Sequence, residues 1–338
     1  MEQKTYSTGA GPFGLTVADV NNDSKPDIIV ANVRSDTISV LHNFGNGTFT
    51  ANTTYSIGPN PSSVAVVEIN NDNQLDIIVS YLYTSSVGVL LNIGNGKFTA
   101  QTIYFTGDGP YSVVINDVNN DNKSDIIVPN SGSNYVSVLL NIGNGTFTPQ
   151  TTYSIGSIQF DVAVVDVNND GNPDIIAPNS GSNYVSVLFN IDNGTFSEQT
   201  TYLTGSGPYG VEVVDVNNDS NPDIIVTISD SNNVGVLLNT GTGTFTAQTT
   251  YSTDLHPLNV VVADVNNDGK PDIVVVNYWS HNVCVLFNTG NGTFNAKTTY
   301  ATGNHPRDLV AVDVNNDGKL DIIVTNEWSD NVSVLLAC

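Results

Sequence analysis

The sequence predicts an all-β fold, a seven-bladed β-propeller of four-stranded blades, from three observations. A unit of 49 residues recurs seven times along the 338-residue chain without an insertion. Each unit contains four short β-type segments, and none shows the apolar periodicity of a helix. The chain is 39% hydrophobic, with 14 Tyr and 12 Phe, which is enough apolar material for a folded core. Four strands in a unit of this length are typical of a propeller blade.

The repeat is visible at three registers. An acidic segment begins at Asp19, Glu68, Asp117, Asp166, Asp215, Asp264 and Asp313. Tyrosines follow the same spacing at Tyr6, Tyr55, Tyr104, Tyr153, Tyr202, Tyr251 and Tyr300. Phenylalanines do so at Phe49, Phe98, Phe147, Phe196, Phe245 and Phe294. Because the interval never changes, we expect every unit to be the same structural element.

The third unit illustrates the expected strands. Residues 112–115 predict an apolar first strand buried on both faces, residues 125–128 a second strand and residues 136–140 a third. A fourth, polar-alternating strand is expected from Thr146 to Tyr153. The Asn144-Gly145 pair between the third and fourth strands is a hairpin-turn signal. Its counterparts, each followed by Gly, are Asn46, Asn95, Asn193 and Asn291.

The register of the chain ends favours a closed ring over an open β-solenoid. Seven units of 49 residues would make 343, and the five missing positions correspond to residues 45–49, the turn between the third and fourth strands. Cys338 would then end a third strand, and residues 1–7 have the register of a fourth. We therefore expect one propeller over residues 1–338, with its N-terminal strand as the outer strand of blade seven. Closure removes exposed strand edges.

Charge and composition exclude several classes of function. The formal net charge is −24, from 33 Asp and Glu against 9 Lys and Arg. Such a balance repels phosphate backbones and anionic lipid, so we expect no nucleic-acid partner. No apolar run approaches the ~18 residues of a membrane span, so we expect no membrane insertion. No signal peptide is present in this sequence, so the leader of a secreted form would lie outside this numbering. Two Cys cannot form a disulfide framework.

Each acidic turn has the spacing Asp-x-Asn-x-Asp-x-x-x-Asp, with Glu68 replacing the first Asp in the second unit. Alternate side chains of a tight loop converge, and oxygen-only ligands suit Ca²⁺. The sixth position favours left-handed backbone, which Gly171, Gly269 and Gly318 adopt most easily. We predict up to seven calcium ions, held by Asp19, Asn21, Asp23, Asp27, Glu68, Asn70, Asp72, Asp76, Asp117, Asn119, Asp121, Asp125, Asp166, Asn168, Asp170, Asp174, Asp215, Asn217, Asp219, Asp223, Asp264, Asn266, Asp268, Asp272, Asp313, Asn315, Asp317 and Asp321.

The alternative is that these segments are metal-free turns, since Asp and Asn cap turns on their own. Seven copies of three closely spaced carboxylates favour calcium, because without a cation those charges repel one another. An EF-hand is excluded because the twelfth position, Val128 in the third unit, lies in a strand where that motif requires Glu. We expect the ions to be structural and to hold the hairpins together.

The repeats resemble the FG-GAP (VCBS-type) repeats of integrin α-subunit propellers and related lectins. Residues 111–121, Tyr-Ser-Val-Val-Ile-Asn-Asp-Val-Asn-Asn-Asp, match the calcium-loop half of that repeat, and the resemblance covers essentially the whole chain. It implies a seven-bladed propeller with Ca²⁺ in the loops of its lower face. Gly109-Pro110 and residues 129–131 stand where the family has its Phe-Gly and Gly-Ala-Pro. The resemblance therefore does not imply integrin-like partner docking.

The loops opposite the acidic turns are the ones that vary between repeats, as functional loops do. The predicted ligand-binding residues are Trp279, Trp328, Tyr278, Arg307, His256, His305 and Tyr83. Flat aromatic faces beside carboxylates and amides suit sugar recognition. The connections between blades have Phe13, Tyr111, Phe160 and Tyr209 at one register. The alternative is that the aromatic rings of these loops plug the upper end of the central channel and pack between blades.

We expect a calcium-binding, extracellular or cell-surface recognition or adhesion propeller, a monomer that binds a glycan or protein on its upper face. A polysaccharide lyase or glycoside hydrolase built on the same scaffold is one alternative. A purely structural module of a larger surface protein is another. The sequence has no Gly-x-Ser-x-Gly, no His-Glu-x-x-His and no phosphate-binding glycine loop, so no catalytic residue is assigned and enzyme activity is the less expected outcome.

Overall fold

In the computed structural model, which describes residues 1–94 and 96–337, seven four-stranded antiparallel sheets succeed one another around a closed ring. The predicted all-β seven-bladed propeller is therefore confirmed. The predicted turn residue Asn95 and the predicted strand end Cys338 lie outside the described residues. No helix in the described part of the chain is long and apolar enough to cross a membrane.

Each blade has an inner, a second, a third and an outer strand. The strands of each kind are named in order from blade one to blade seven. The inner strands are Pro12–Ala18, Pro61–Val67, Val114–Asn116, Ala163–Val165, Pro208–Val214, Pro257–Ala263 and Pro306–Val312. The second strands are Asp27–Asn32, Asp76–Tyr81, Asp125–Asn130, Asp174–Asn179, Asp223–Ile228, Asp272–Asn277 and Asp321–Asn326. The third strands are Thr37–Leu41, Ser86–Leu90, Tyr135–Leu139, Tyr184–Leu188, Asn233–Leu237, Asn282–Leu286 and Asn331–Leu336. The outer strands are Thr53–Ser56, Thr102–Phe105, Thr151–Ser154, Thr200–Leu203, Thr249–Ser252, Thr298–Ala301 and, in blade seven, Glu2–Ser7.

Short hairpins link the third and outer strands. Three of them form ladders, Asn141–Gly143 with Thr146–Phe147, Asn190–Asp192 with Thr195–Phe196, and Asn288–Gly290 with Thr293–Phe294. Asn144 and Gly145 both have positive φ, 53° and 69°, as the expected hairpin turn requires. The one helical segment among the described residues is a 3₁₀ turn at Ser229–Ser231.

The N-terminal strand closes the ring. Glu2–Ser7 pairs antiparallel with Asn331–Leu336, in a register that runs from Glu2 opposite Leu336 to Ser7 opposite Asn331. Blade seven is therefore built from both ends of the described chain. Its inner strand then packs against the inner strand of blade one, as the other inner strands pack against their neighbours.

Two details of the predicted blade are wrong. The inner strand Val114–Asn116 is only half-buried, whereas the second strand Asp125–Asn130 is buried along its whole length. The inner strand lines the central channel, so only one of its faces packs on protein. Thr146–Phe147 pairs within its own hairpin and is not the beginning of the outer strand, which starts at Thr151. Alternation of polar residues does not reveal which strand a segment pairs with.

Neighbouring blades are joined by a buried amide and an aromatic pair. The Asn141 side chain donates to the carbonyl of Ile69 in the previous blade and to that of Ser124 in its own, both at 3.1 Å. The Tyr153 ring meets Phe196 of the next blade edge to face, with 5.1 Å between ring centroids. The repeated tyrosines and phenylalanines of the sequence are therefore contacts between blades.

Candidate functional site

The acidic turns, between inner and second strands, lie at one end of the ring, which we call the lower face. The turns between second and third strands and the connections between blades lie at the other end, the upper face. In the acidic turn of blade three, the Asp117 carboxylate accepts the backbone N–H of Asp121 at 3.1 Å and of Asn122 at 2.7 Å. The Asn119 amide oxygen accepts the same Asp121 N–H at 3.1 Å. Side chains at the first and third positions thus shape the turn.

The sixth position of these turns has left-handed backbone, as the spacing predicts. Its φ is 61° at Asn122 and 89° at Gly171. The same region holds Ser24, Asn73, Ser220, Gly269 and Gly318. Non-glycine residues there are held by the hydrogen bonds of the turn, since an L side chain otherwise disfavours positive φ.

The ninth position faces into the blade. Asp125 is fully buried, and its two oxygens accept the backbone N–H of Asn141 at 2.7 Å and of Val118 at 3.0 Å. Burial raises the pKa of this carboxyl to about 6. One oxygen therefore binds the hairpin that follows the third strand, and the other binds the acidic turn itself.

The side chains of each acidic turn have the oxygen donors that a hard cation needs at three of the four predicted ligand positions. The first, third and fifth side chains present oxygen donors around one turn, which is the chemistry that Ca²⁺ prefers. The ninth carboxylates are engaged with backbone amides. Within the described residues, no three Asp, Glu, His or Cys side chains are gathered into a metal-binding cluster. Calcium binding by these loops stays a prediction.

The upper face carries a cluster of rings that we call the aromatic platform, formed by Tyr278, Trp279, Trp328, His256 and His305. The His305 ring lies at its centre, 4.7 Å from Tyr278, 5.2 Å from Trp279 and 5.6 Å from Trp328 between centroids. His256 contacts the other side of Tyr278 and Trp279, at 6.1 Å and 6.0 Å. Residues from blades six and seven thus form one surface.

The platform is exposed and has a polar edge. Trp279 is 55% exposed and Trp328 is 61% exposed. The Trp328 indole N–H donates to the Tyr278 hydroxyl at 3.2 Å, and that hydroxyl donates to the Glu327 carboxylate at 3.1 Å. The Arg34 guanidinium lies over Trp328, 5.2 Å from the ring centroid. Stacking faces and hydrogen-bonding groups are therefore adjacent.

Burial lowers the pKa of both platform histidines. For His256 the opposing influence is the negative charge of Asp230. For His305 burial acts together with the neighbouring His281, and Glu327 opposes them. The platform therefore favours neutral imidazole rings, which can both donate and accept hydrogen bonds.

Arg307 lies at the channel mouth beside the platform. Its guanidinium donates to Glu327 at 3.2 Å and to the Tyr209 hydroxyl at 3.1 Å, and its Cζ lies 5.8 Å from the Tyr278 ring centroid. Burial lowers the pKa of Arg307 to about 10, although Glu327 acts in the opposite direction. Arg307 thus connects the platform to Tyr209, one of the rings that close the channel.

Tyr83 lies apart from the other predicted ligand residues. It is 79% exposed and lines a groove of about 530 Å³ in blades two and three, together with Asp108 and Gly132. Arg307 also borders that groove. The structure therefore brings six of the seven predicted ligand residues into one neighbourhood and leaves Tyr83 outside the platform.

The alternative prediction, that aromatic rings plug the channel, applies to Tyr111, Phe160 and Tyr209, which share the register of Phe13. Tyr111 and Tyr209 are joined by a hydrogen bond between their hydroxyls, and Phe160 stacks on Tyr209 at 4.3 Å. A cavity of about 60 Å³ is lined by these three rings together with Asp161 and Asp308. The rings at the channel axis close the channel, whereas the rings of the platform are open to solvent.

The acids of the channel were not singled out by the sequence. Burial raises the pKa of Asp161 to about 7, that of Glu212 to about 7 and that of Asp308 to about 6. The signal was present, because Glu212 shares a register with Thr16 and Val114, where other blades have small or apolar residues. His281, which contacts His305 at 4.6 Å, was missed as well.

Solved structures with the same fold differ widely in what they bind. Virginiamycin B lyase from Staphylococcus aureus, solved with quinupristin, has a TM-score of 0.70 at 15% identity and covers 100% of this chain and 99% of that one. BBS1N in complex with ARL6DN has a TM-score of 0.69 at 12% identity, over 100% and 96%. An Agrocybe aegerita lectin that recognises non-reducing terminal N-acetylglucosamine has a TM-score of 0.61 at 20% identity, over 86% and 80%. At these identities the likeness shows the fold alone.

No curated protein sequence matches the chain. The model of the FG-GAP-like repeat matches six overlapping segments, residues 19–79, 69–128, 117–177, 166–226, 215–275 and 264–324. Each begins at an acidic turn and ends in or just after the second strand of the following blade, so the matched unit includes the contact between blades. Since these segments run through most of the chain, the protein belongs to the family of FG-GAP-like repeat proteins.

Proposed function

We propose that this protein is an extracellular or cell-surface recognition module that binds a glycan on the aromatic platform. The observation that carries the proposal is the pair of half-exposed indoles, Trp279 and Trp328, with Tyr278 and His305 between them. Solvent-exposed rings of this size are costly unless a ligand covers them, because a protein gains by burying apolar area. Sugar rings present CH faces that stack on such surfaces.

The polar edge supports a sugar over a purely apolar ligand. Glu327 and Asp330 offer carboxylate oxygens, and Arg34 offers N–H donors, within the same side-chain network. Hydroxyl groups require donors and acceptors at the rim of a stacking surface. The positive charge of Arg34 is balanced by Asp330 at 2.9 Å, which favours a neutral glycan over an anionic one. The lectin among the structures of the same fold is consistent with this use of a propeller.

We propose a structural role for calcium in this protein. The acidic turns lie on the lower face, and the platform lies on the upper one, so an ion in a turn does not touch the ligand. Bound Ca²⁺ would offset the repulsion between the carboxylates of each loop and fix the hairpin. The millimolar calcium outside cells suits exposed loops of this kind, and it is one reason for proposing an extracellular setting.

Catalysis has less support. Asp161 and Asp308 are the acids with raised pKa in a cavity, but each has an oxygen that accepts a backbone N–H, from Val211 at 3.0 Å and from Leu15 at 2.8 Å. They also share a cavity of only about 60 Å³ with the rings of Tyr111, Phe160 and Tyr209. A glycosidase pair needs open access for a sugar between its two carboxyl groups.

A glycan array probed with the full chain tests the proposal. We expect binding of one family of neutral glycans, at least about tenfold weaker for Trp328→Ala and Trp279→Ala. Tyr83→Ala is the matched control, because it removes an exposed aromatic ring that lies outside the platform. Absence of binding to any glycan, or an equal loss in Tyr83→Ala, contradicts the proposal. Cleavage of a bound glycan would instead support the catalytic alternative.

A further inference from the structure

A hydrogen bond recurs at the junctions between blades on the upper face. A side chain in the turn between second and third strands accepts the backbone N–H of the connection to the next blade. The pairs are Asp330 with Gly11 at 2.8 Å, Asp36 with Asn60 at 2.9 Å, Asn183 with Gly207 at 3.1 Å, and Asn232 with His256 at 2.8 Å. All eight residues have positive φ, a conformation that such a bond helps to hold.

Blade six makes the same bond with a histidine. The His281 Nδ1 accepts the backbone N–H of His305 at 2.9 Å, and the two residues have φ of 55° and 54°. An amide oxygen keeps its acceptor role at any physiological pH, and a carboxylate does so well below neutrality. An imidazole nitrogen accepts only while the ring is neutral, and histidine is the side chain that ordinarily gains a proton between about pH 5 and pH 8.

Protonation reverses the chemistry of this contact. In the structure the proton of neutral His281 must sit on Nε2, because Nδ1 faces a donor. A proton on Nδ1 would set two N–H groups against each other and remove the bond. The His281 and His305 rings are also only 4.6 Å apart, so a charge on either opposes a charge on the other.

The other charged groups around the pair are engaged elsewhere. Glu327, which acts on His305, is bound by Arg307 and by the Tyr278 hydroxyl. Asn282, the residue after His281, donates to Asp254, and Asp254 is paired with Lys297. No carboxylate in the described part of the chain forms an ion pair with His281, so none is placed to stabilise a protonated ring there.

We propose that the bond from the His305 N–H to His281 is a pH-sensitive clasp, closed near neutral pH and released in mildly acidic solution. His305 is the ring at the centre of the aromatic platform, in contact with Tyr278, Trp279 and Trp328. Release therefore loosens the platform at its centre and leaves the four equivalent bonds at the other blade junctions intact. The inference concerns the chain itself and holds whether or not the platform binds a glycan.

Hydrogen-exchange measurement on the full chain tests the clasp, with rates corrected for the intrinsic effect of pH. We expect protection of the His305 amide to fall at least about tenfold between about pH 7.5 and about pH 5. His281→Asn, which installs the residue found at Asn183 and Asn232, should keep that protection at both values. The His256 amide, held by Asn232, is the internal control and should not change in either protein.

Two results would overturn the clasp. One is equal protection of the His305 amide at both pH values in the unmodified chain. The other is the same loss at low pH in His281→Asn, which would place the pH sensitivity in another group. Should His281→Asn fold poorly, His281→Asp supplies the acceptor used by Asp36 and Asp330 and carries the same expectation. Loss of glycan binding with a normal exchange result would count against the proposed function alone.

Discussion

The guanidinium of Arg307 lies over the ring of Phe13, with 3.5 Å between Cζ and the ring centroid. Arg307 belongs to the inner strand of blade seven and Phe13 to that of blade one, so the contact crosses the junction between these two blades. The same guanidinium donates to Glu327 and to Tyr209, which lies in the inner strand of blade five. One partly buried cation therefore links three blades at the upper end of the channel.

Removing that cation should destabilise the fold. Arg307→Gln leaves the mostly buried Glu327 without its strongest partner and removes the cation–π contact, so we expect the free energy of unfolding to fall by about 2–3 kcal/mol in urea titrations. Arg34→Gln is the control, since Arg34 is also paired with Glu327 but is more exposed, and it should cost no more than about 1 kcal/mol. Equal losses in the two variants would contradict the role of Arg307 as the link between these blades.

Stability should depend on pH through the channel acids. Burial raises the pKa of Asp161 and of Glu212 to about 7, whereas the unfolded chain releases these protons near pH 4. Between those values the folded state binds more protons than the unfolded state. The contribution of these groups to the free energy of unfolding is therefore greatest below pH 4 and is lost as the pH rises toward 7.

The variants Asp161→Asn and Glu212→Gln are neutral at every pH. Each should flatten this dependence and, at about pH 8, raise the free energy of unfolding by on the order of 1 kcal/mol in urea titrations. In the Asp161→Asn variant the new amide oxygen can still accept the Val211 N–H. Asp192→Asn, at an exposed hairpin position, should leave the slope unchanged. An unaltered slope in both channel variants would show that these acids are ionised in the folded chain.

The buried amides between blades should be intolerant of apolar replacement. Asn141→Leu leaves the carbonyls of Ile69 and Ser124 without their donor, so we expect a loss of about 2 kcal/mol in the free energy of unfolding. Thr146→Ala, at an exposed position of the same hairpin, should cost less than about 0.5 kcal/mol. A mild effect of Asn141→Leu would mean that the blades are held together mainly by apolar packing.

Removal of the N-terminal strand should affect the whole ring. Without residues 1–7, the strand Asn331–Leu336 has an unpaired edge, so we expect the thermal midpoint to fall by at least about 5 °C and the protein to self-associate. A synthetic peptide of residues 1–8 should restore the midpoint, and a scrambled peptide should not. An unchanged midpoint in the truncated chain would rule out a closing role for this strand.

Calcium should raise the thermal midpoint of chelator-treated protein, and calorimetric titration should report up to seven ions. Asp268→Asn weakens one loop, so we expect about one ion fewer per chain. Asp192→Asn, outside every acidic turn, should bind as many ions as the unmodified chain. A stoichiometry near zero would leave the turns as metal-free caps, which the amide contacts of Asp117 and Asn119 already allow.

Much of the fold follows from the regular spacing of the repeat. Because the interval between Asp19 and its counterparts never varies, the register of one blade predicts that of all, and the position of residues 1–7 predicts closure. The pairing of Thr146–Phe147 could not be predicted, because period-two alternation does not identify a strand's partner. The half-burial of Val114–Asn116 depends on the channel, which exists only once the ring is closed.

The candidate site was predictable where blades are adjacent. Trp279 and Trp328 are 49 residues apart and occupy one register of neighbouring blades, so their proximity follows from the repeat. Tyr83 shares the register but lies in blade two, so the same reasoning could not bring it to the platform. His281 occupies a turn position where five of the other six blades have Asn or Asp, and its significance depends on the backbone N–H that it meets.

Both tryptophans of the chain belong to the platform, since the sequence contains only Trp279 and Trp328. The indole emission of the protein is therefore a local signal, arising from two adjacent rings on one face and from nowhere else in the propeller. Both rings are more than half exposed, so a molecule that settles on them will shift or quench that emission without any label being attached. The intrinsic tryptophan fluorescence of the protein therefore reports directly on the platform.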